Sequence, residues 1–147
     1  FEQYKFPVTV FATGMALERN LDLTEKLKKS IHEVAGHGYR WINYRTVPEA
    51  IEKEHIEKTI QIIESLTKKK VSGWYAGRKS ENTRALIVEA GLRYDSDSYA
   101  DDLPYWVAIG EKPHLVIPYA LDTNDMRYAT SPGFCSGDDF FKYLRGT

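Results

Sequence analysis

Four polar segments of this sequence contain side chains that can move a proton or bind a polar substrate. They are residues 37–41, 75–78, 95–102 and 119–125. Each follows a run of β-branched or aromatic residues, as a loop follows a strand. Because ligands of α/β folds collect at the carboxyl ends of parallel strands, we expect these segments to surround one site.

His37 is the leading candidate for proton transfer. It stands between two glycines directly after an extended segment, so its imidazole can face a cleft as a general acid or base near neutral pH. The same placement also suits a histidine that hydrogen-bonds a loop carbonyl. His32 is expected on the opposite face of its strand and His55 on a helix surface, and His114 is assigned no role.

Arg78 follows a strand rich in aromatic residues. Its planar guanidinium can hold a carboxylate or a ureido oxygen, or it can form a structural ion pair with a nearby acid. The carboxylates of the same segments are too numerous to rank, and most are expected to cap or form turns. They are Asp95, Asp97, Asp101, Asp102, Asp122 and Asp125.

Aromatic residues also concentrate around these segments. They can form a wall against a flat ring or belong to the core and its rim. They are Trp41, Trp74, Tyr99, Tyr105 and Trp106. The sequence contains no phosphate loop, dinucleotide fingerprint, Cys-x-x-Cys pair or nucleophile elbow. The residues alone therefore indicate a hydrolase-like site without defining its substrate.

The elements that must position this site alternate along the chain. Strands are predicted at residues 6–12, 32–35, 71–75, 92–95 and 114–119, and a polar, aromatic loop at residues 96–112. Helices are predicted to begin at Asn20 or Asp22, to span Pro48 to Lys68, to run from Ser80 or Asn82 to Glu89, and to begin again at Asp138. This alternation predicts an α/β fold with parallel strands, as a barrel or an open sheet.

Composition excludes several classes of protein. A chain of 147 residues with 42% hydrophobic residues and a net charge of -1 is expected to form one globular domain without a nucleic-acid partner. The single cysteine, Cys135, excludes an intrachain disulfide and fits a reducing, cytoplasmic compartment. No apolar run approaches the length of about 18 residues needed to span a membrane, so no membrane partner is expected.

Three stretches resemble the polysaccharide-deacetylase superfamily: residues 7–14, 32–41 and 91–96. Its fold is an irregular (β/α) barrel, of which this chain is expected to form an incomplete part. Residues 37–41, 73–78, 94–106 and 121–127 are similar to the metal-independent allantoinase branch, which acts in purine breakdown. Because an incomplete barrel has unpaired edge strands, the enzyme is expected to pair with another chain as a homo-oligomer. The resemblance implies that residues 1–147 are the central portion of one catalytic domain, without its N-terminal and C-terminal portions.

The expected function depends on the positions at which this chain differs from the deacetylase pattern. Metal-dependent members have two histidines four residues apart, where this chain has His37 and Trp41, and an arginine where it has Tyr75. One imidazole cannot hold a catalytic ion that needs about three protein ligands. The resemblance therefore implies a hydrolase that needs no metal or other cofactor and opens the hydantoin ring of allantoin.

The resemblance also implies roles for individual residues. His37 would move protons, with Asp125 or Asp122 as its partner. The implied substrate-binding residues for this small ureide are Arg78, Trp41, Asn124, Tyr75 and Asp97. Two alternatives stay open: a metal-dependent N-deacetylase of chitin or peptidoglycan, and a non-catalytic remnant that acts as a binding module.

Overall fold

Six strands form one open sheet in the computed structural model, which describes residues 2–147. The strands are β1 (Thr9–Ala12), β2 (Glu33–Gly36), β3 (Gly73–Trp74), β4 (Tyr94–Asp95), β5 (Tyr105–Ile109) and β6 (Lys112–Val116). Their order is β1-β2-β3-β4-β6-β5, and all neighbours are parallel except the β5–β6 hairpin. The predicted α/β class is confirmed, and the sheet is the unclosed part of a barrel. Five parallel strands thus end along one edge.

Five α-helices accompany the sheet. They are α1 (Gly14–Arg19), α2 (Leu21–Lys29), α3 (Glu49–Thr67), α4 (Thr83–Glu89) and α5 (Gly137–Gly146). Short 3-10 helices occupy Glu2–Tyr4, Tyr44–Thr46 and Asp125–Tyr128. The predicted cap Asn20 is confirmed, because its side chain accepts a hydrogen bond from the Leu23 amide at 3.0 Å. No helix within residues 2–147 has the length and apolar content needed to cross a membrane.

The core lies between α3 and the sheet. Ile56 and Ile63, seven residues apart on one face of α3, are buried in the same cluster as Val34 of β2 and Trp74 of β3. The buried Glu52 ties α3 to the start of α4 by accepting hydrogen bonds from the hydroxyls of Ser80 and Thr83. Apolar packing and one satisfied buried carboxylate therefore fix the helical layer on the sheet.

The structure differs from the sequence prediction around the last two strands. Residues 105–109 were expected in a loop but form β5, and the strand expected at residues 114–119 runs from Lys112 to Val116 instead. A two-residue turn joins the two strands, and its first residue, Gly110, has φ +59°, as a type II′ hairpin turn requires. Residues of β5 alternate between half-buried and exposed, as in a strand with one face towards solvent. The aromatic residues of this segment led to its prediction as a loop. Helix α1 was also not predicted.

Two glycines allow aromatic rings to lie directly on neighbouring strands. A Cβ atom on Gly36 would lie 2.3 Å from the ring of Trp74, and one on Gly73 would lie 2.0 Å from the ring of Tyr94. Gly36 lies in a buried strand and Trp74 is itself buried, so the indole has no free space into which to move. The sheet therefore depends on the absence of side chains at these two positions.

We predict that Gly36→Ala lowers the free energy of unfolding by about 1–3 kcal/mol, since overpacking shifts Trp74. Gly137→Ala is the matched control, because a Cβ atom there meets nothing within 4 Å. Urea denaturation of both variants measures the difference. Equal stabilities would contradict the close packing of Trp74 on Gly36.

Candidate active site

His37 lies directly after β2, where its backbone amide donates to the Ala12 carbonyl at 2.9 Å. Its side-chain Nδ1 contacts the backbone carbonyl oxygen of Tyr75. A carbonyl oxygen only accepts hydrogen bonds, so the neutral ring carries its proton on Nδ1. The Nε2 atom then keeps its lone pair, and the imidazole can take a proton from water or substrate.

A column of aromatic rings continues from His37. The His37 ring stacks on Tyr75 with centroids 5.2 Å apart and 9° between planes, and Tyr75 stacks on Tyr119 at 4.8 Å and 1°. The edge of Tyr99 meets Tyr119 at 6.0 Å. Burial raises the pKa of Tyr75 and the neighbouring Tyr99 raises it further, so this phenol stays protonated near neutral pH. The stacked column thus presents the neutral phenol of Tyr75 against the His37 ring.

Asn124 joins the same column from the loop after β6. Its side-chain oxygen accepts from the Met126 amide at 2.8 Å, and its side-chain nitrogen donates to the Tyr119 hydroxyl oxygen. The hydroxyl hydrogen of Tyr119 is then available to donate to another acceptor. Asn124 therefore orients Tyr119, and its own predicted contact with substrate stays a prediction.

Arg78 and Trp41 form a second group at the same edge of the sheet. The Arg78 guanidinium carbon lies 4.8 Å from the centre of the Trp41 ring, and this indole is 64% exposed. Trp41, Arg19 and Arg40 are among the residues that line an open depression of about 710 Å³. A flat face and several positive charges together suit a planar molecule with electron-rich oxygens.

Asp97 is buried and holds the loop that follows β3. One carboxylate oxygen accepts from the Ala76 amide and the other from the Gly77 amide, each at 2.7 Å. Burial raises the pKa of Asp97, and the two backbone hydrogen bonds only partly oppose that effect. The structure thus places Asp97 under the loop of Tyr75 and Arg78, and its predicted substrate contact stays a prediction.

The other two predicted carboxylates lie in the loop after β6. Asp122 and Asp125 are exposed, and Asp122 accepts a hydrogen bond from the Tyr143 hydroxyl at 3.0 Å. Within residues 2–147, neither carboxylate is hydrogen-bonded to His37, whose Nδ1 partner is the Tyr75 carbonyl. Their proposed partnership with His37 remains a prediction without a supporting contact.

Sequence reasoning missed a buried ion-pair cluster beneath the site. Asp95 accepts from Arg84 Nε at 2.7 Å, from His114 Nε2 at 3.0 Å and from the Asp97 amide at 3.0 Å. Burial opposes ionisation of Asp95, but Arg84, the Asp97 amide and His114 together outweigh it and hold the pKa of Asp95 below its usual value. The sequence features that could have indicated this cluster are Arg84 beside the apolar residues of α4 and His114 beside those of β6.

A bound metal ion requires a group of metal-binding side chains. In the part of the chain that the structure describes, no three or more His, Cys, Asp or Glu side chains are arranged to hold an ion. The site instead has Trp41 four residues after His37, and an indole provides no metal-binding lone pair.

Comparison with known proteins gives consistent matches. The family model for polysaccharide deacetylase matches residues 1–95. The crystal structure of Puue allantoinase is 48% identical, with a TM-score of 0.89, over 99% of this chain and 49% of that one. A Pseudomonas aeruginosa PAO1 structure, whose name places it among the polysaccharide deacetylases, is 49% identical with a TM-score of 0.89, over 99% of this chain and 50% of its own.

A curated Schizosaccharomyces pombe protein, also placed by its name among the polysaccharide deacetylases, is 42% identical over 99% of this chain and 51% of its own length. The chain thus spans about half the length of these relatives. Its similarity to each of them extends across the loops that carry His37, Tyr75 and Asn124, because nearly the whole chain is covered.

We predict that Asp95→Asn lowers the free energy of unfolding by about 1.5–3 kcal/mol at pH 7, since it removes charged hydrogen bonds in a buried cluster. The folded pKa of Asp95 is depressed, so this stabilisation is complete above the unfolded value of about 3.9 and is lost as pH falls through the folded pKa. Denaturation at pH values from 7 downwards should show the stability gap between the two proteins constant above about pH 4 and narrowing only below it. Asp102→Asn, at an exposed aspartate, should leave stability unchanged, and a gap that widened in acid would contradict the prediction.

Proposed function

Because this chain belongs to the polysaccharide deacetylase family, we propose that it forms the catalytic part of a hydrolase that opens the hydantoin ring of allantoin. The reaction adds water across a cyclic amide C–N bond and gives allantoate. The observation that carries the proposal is the pairing of His37 with Trp41. Residues 37–41 contain one imidazole, His37, and an exposed indole four residues later, where a metal-dependent site needs further ligands.

The similarity to an allantoinase supports this substrate. That protein matches almost the whole chain at 48% identity, including the loops after β2, β3 and β6. Allantoin has a flat five-membered ring and a ureido group, so it offers one planar face and several carbonyl oxygens. The exposed Trp41 ring with Arg78 above it suits both features.

The proposed mechanism follows from the neutral His37 ring with its proton on Nδ1. Its Nε2 lone pair takes a proton from water as the water oxygen attacks the ring carbonyl carbon. The C–N bond then breaks, and the imidazolium returns the proton to the departing ring nitrogen. We assign the Tyr119 hydroxyl and the Arg78 guanidinium as donors to the carbonyl oxygens of the substrate, whose charge grows during the attack.

A metal-dependent N-deacetylase is the second candidate. The names of the Pseudomonas aeruginosa and Schizosaccharomyces pombe relatives favour it, and both are similar to this chain over its whole length. That activity would release acetate from N-acetylated sugars and would need ligands beyond those that residues 2–147 bring together.

We predict that the protein converts allantoin to allantoate, and that the rate is unchanged after dialysis against a chelator. Allantoate formation and acetate release from N-acetylglucosamine oligomers are measured on the same preparation, with and without added zinc. Zinc-dependent acetate release without ring opening would establish the deacetylase instead. Failure of both reactions would favour a non-catalytic binding module.

We also predict that His37→Ala lowers kcat for ring opening by roughly 10²- to 10⁴-fold, the usual contribution of a general acid–base group. His37→Gln should be equally impaired, because an amide cannot carry the proton between water and the leaving nitrogen. His32→Gln is the matched control, since His32 precedes β2, at the end away from His37, and its side-chain Nδ1 accepts from the Val8 amide. Full turnover by His37→Ala would remove the assignment.

A further inference from the structure

The hydrogen bond between His37 and the Tyr75 carbonyl decides which imidazole nitrogen faces the substrate, so the group that aims this carbonyl matters. The Tyr75 amide donates to the Gly36 carbonyl at 2.9 Å and continues the pairing of β2 with β3. Beyond this point the backbone leaves the sheet. Another contact must therefore set the plane of the next peptide unit.

That contact comes from Asp97. The Tyr75 carbonyl and the Ala76 N–H belong to one planar trans peptide, in which the C=O and N–H bonds point in opposite directions. Asp97 accepts the Ala76 N–H at 2.7 Å on one side, and His37 Nδ1 contacts the Tyr75 carbonyl on the other. Fixing the N–H end of this rigid unit therefore aims its carbonyl end at the imidazole.

The geometry of the following residue strengthens the hold. Gly77 has φ +69°, a conformation that glycine adopts without strain, and its N–H donates to the second oxygen of Asp97, also at 2.7 Å. Two successive amides thus converge on one carboxylate. Asp97 itself is buried, and its own amide donates to Asp95, which Arg84 and His114 hold in place.

We propose that Asp97 is a positioning residue, which acts through the Tyr75–Ala76 peptide to hold the proton of neutral His37 on Nδ1 and to present Nε2 to the substrate. In a serine-protease triad a carboxylate performs this task in direct contact with the histidine. Here one peptide plane separates the carboxylate from the ring. The carboxylate also polarises that peptide, which makes its carbonyl a stronger acceptor.

The effect of this residue on the rate rests on the proposed hydrolase function, whereas its effect on the His37 tautomer does not. An asparagine at position 97 keeps one acceptor oxygen but presents N–H donors to the second backbone amide. Asp97→Asn should therefore loosen the Tyr75–Ala76 peptide while it preserves the size of the side chain.

The test is ¹⁵N NMR of histidine-labelled protein at a pH where His37 is neutral. The unmodified protein should show a single His37 tautomer with the proton on Nδ1, and Asp97→Asn should show a mixture or the opposite tautomer. Glu52→Gln is the matched control, because it makes the same exchange at a buried carboxylate that holds Ser80 and Thr83 and does not touch residues 75–77. A single Nδ1-protonated His37 in folded Asp97→Asn would overturn the proposal, as would an Nε2-protonated ring in the unmodified protein.

Kinetics give an independent readout. Asp97→Asn should lower kcat for ring opening by roughly 10- to 100-fold, the usual effect of a residue that orients a catalytic group, with little change in KM. Should Asp97→Asn fail to fold, Asp97→Ser, which keeps one acceptor, should show a mixed tautomer and a smaller loss of kcat. An unchanged tautomer and kcat in that variant would refute the proposal. If the unmodified protein does not hydrolyse allantoin, the proposed function fails and the NMR comparison still decides the role of Asp97.

Discussion

Two buried carboxylates at the end of β4 hold the loops of this structure in place. Asp95 binds Arg84 of α4 and His114 of β6, and Asp97 binds the loop after β3. Charged groups inside a protein are tolerated only when their hydrogen-bonding capacity is satisfied, so each carboxylate requires its partners to stay where they are. The positions of three neighbouring elements are therefore coupled at the edge of the sheet where the parallel strands end.

This coupling explains how the loop after the short strand β3 can hold a fixed position in the candidate active site. Strand β3 has only two residues, Gly73 and Trp74, so sheet pairing alone cannot fix the loop that follows it. The carboxylate of Asp97 supplies the missing constraint, and the Tyr75 carbonyl then sets the proton position on His37. The aromatic column extends the same order to Tyr119 by stacking, which restricts ring rotation without adding charge. The result is a rigid, largely uncharged wall beside one imidazole, an arrangement suited to a neutral, flat substrate.

Much of the fold was predictable because it rests on local patterns. Helix α3 and its apolar stripe, the Asn20 cap and the strands before His37 and Tyr75 follow from periodicity and capping chemistry. Strand β5 was missed because its aromatic residues resemble a binding loop as much as a half-exposed strand. Among the site residues, His37 stacks on Tyr75, and both Tyr75 and Asn124 contact Tyr119. Asp122 and Asp125 make no hydrogen bond to His37 within residues 2–147.

The amino-acid sequence by itself determined the α/β class, the polar segments that follow the strands, and the presence of an indole four residues after His37, since these depend on residue type and spacing along the chain. Only the tertiary structure decided which of six aspartates holds which loop, and that the partner of His37 is a backbone carbonyl. The physical reason is that a hydrogen bond depends on the donor–acceptor distance to within a few tenths of an ångström and on the relative direction of the two groups. Residues 37, 75 and 97 acquire those directions only when three separate strands pack side by side.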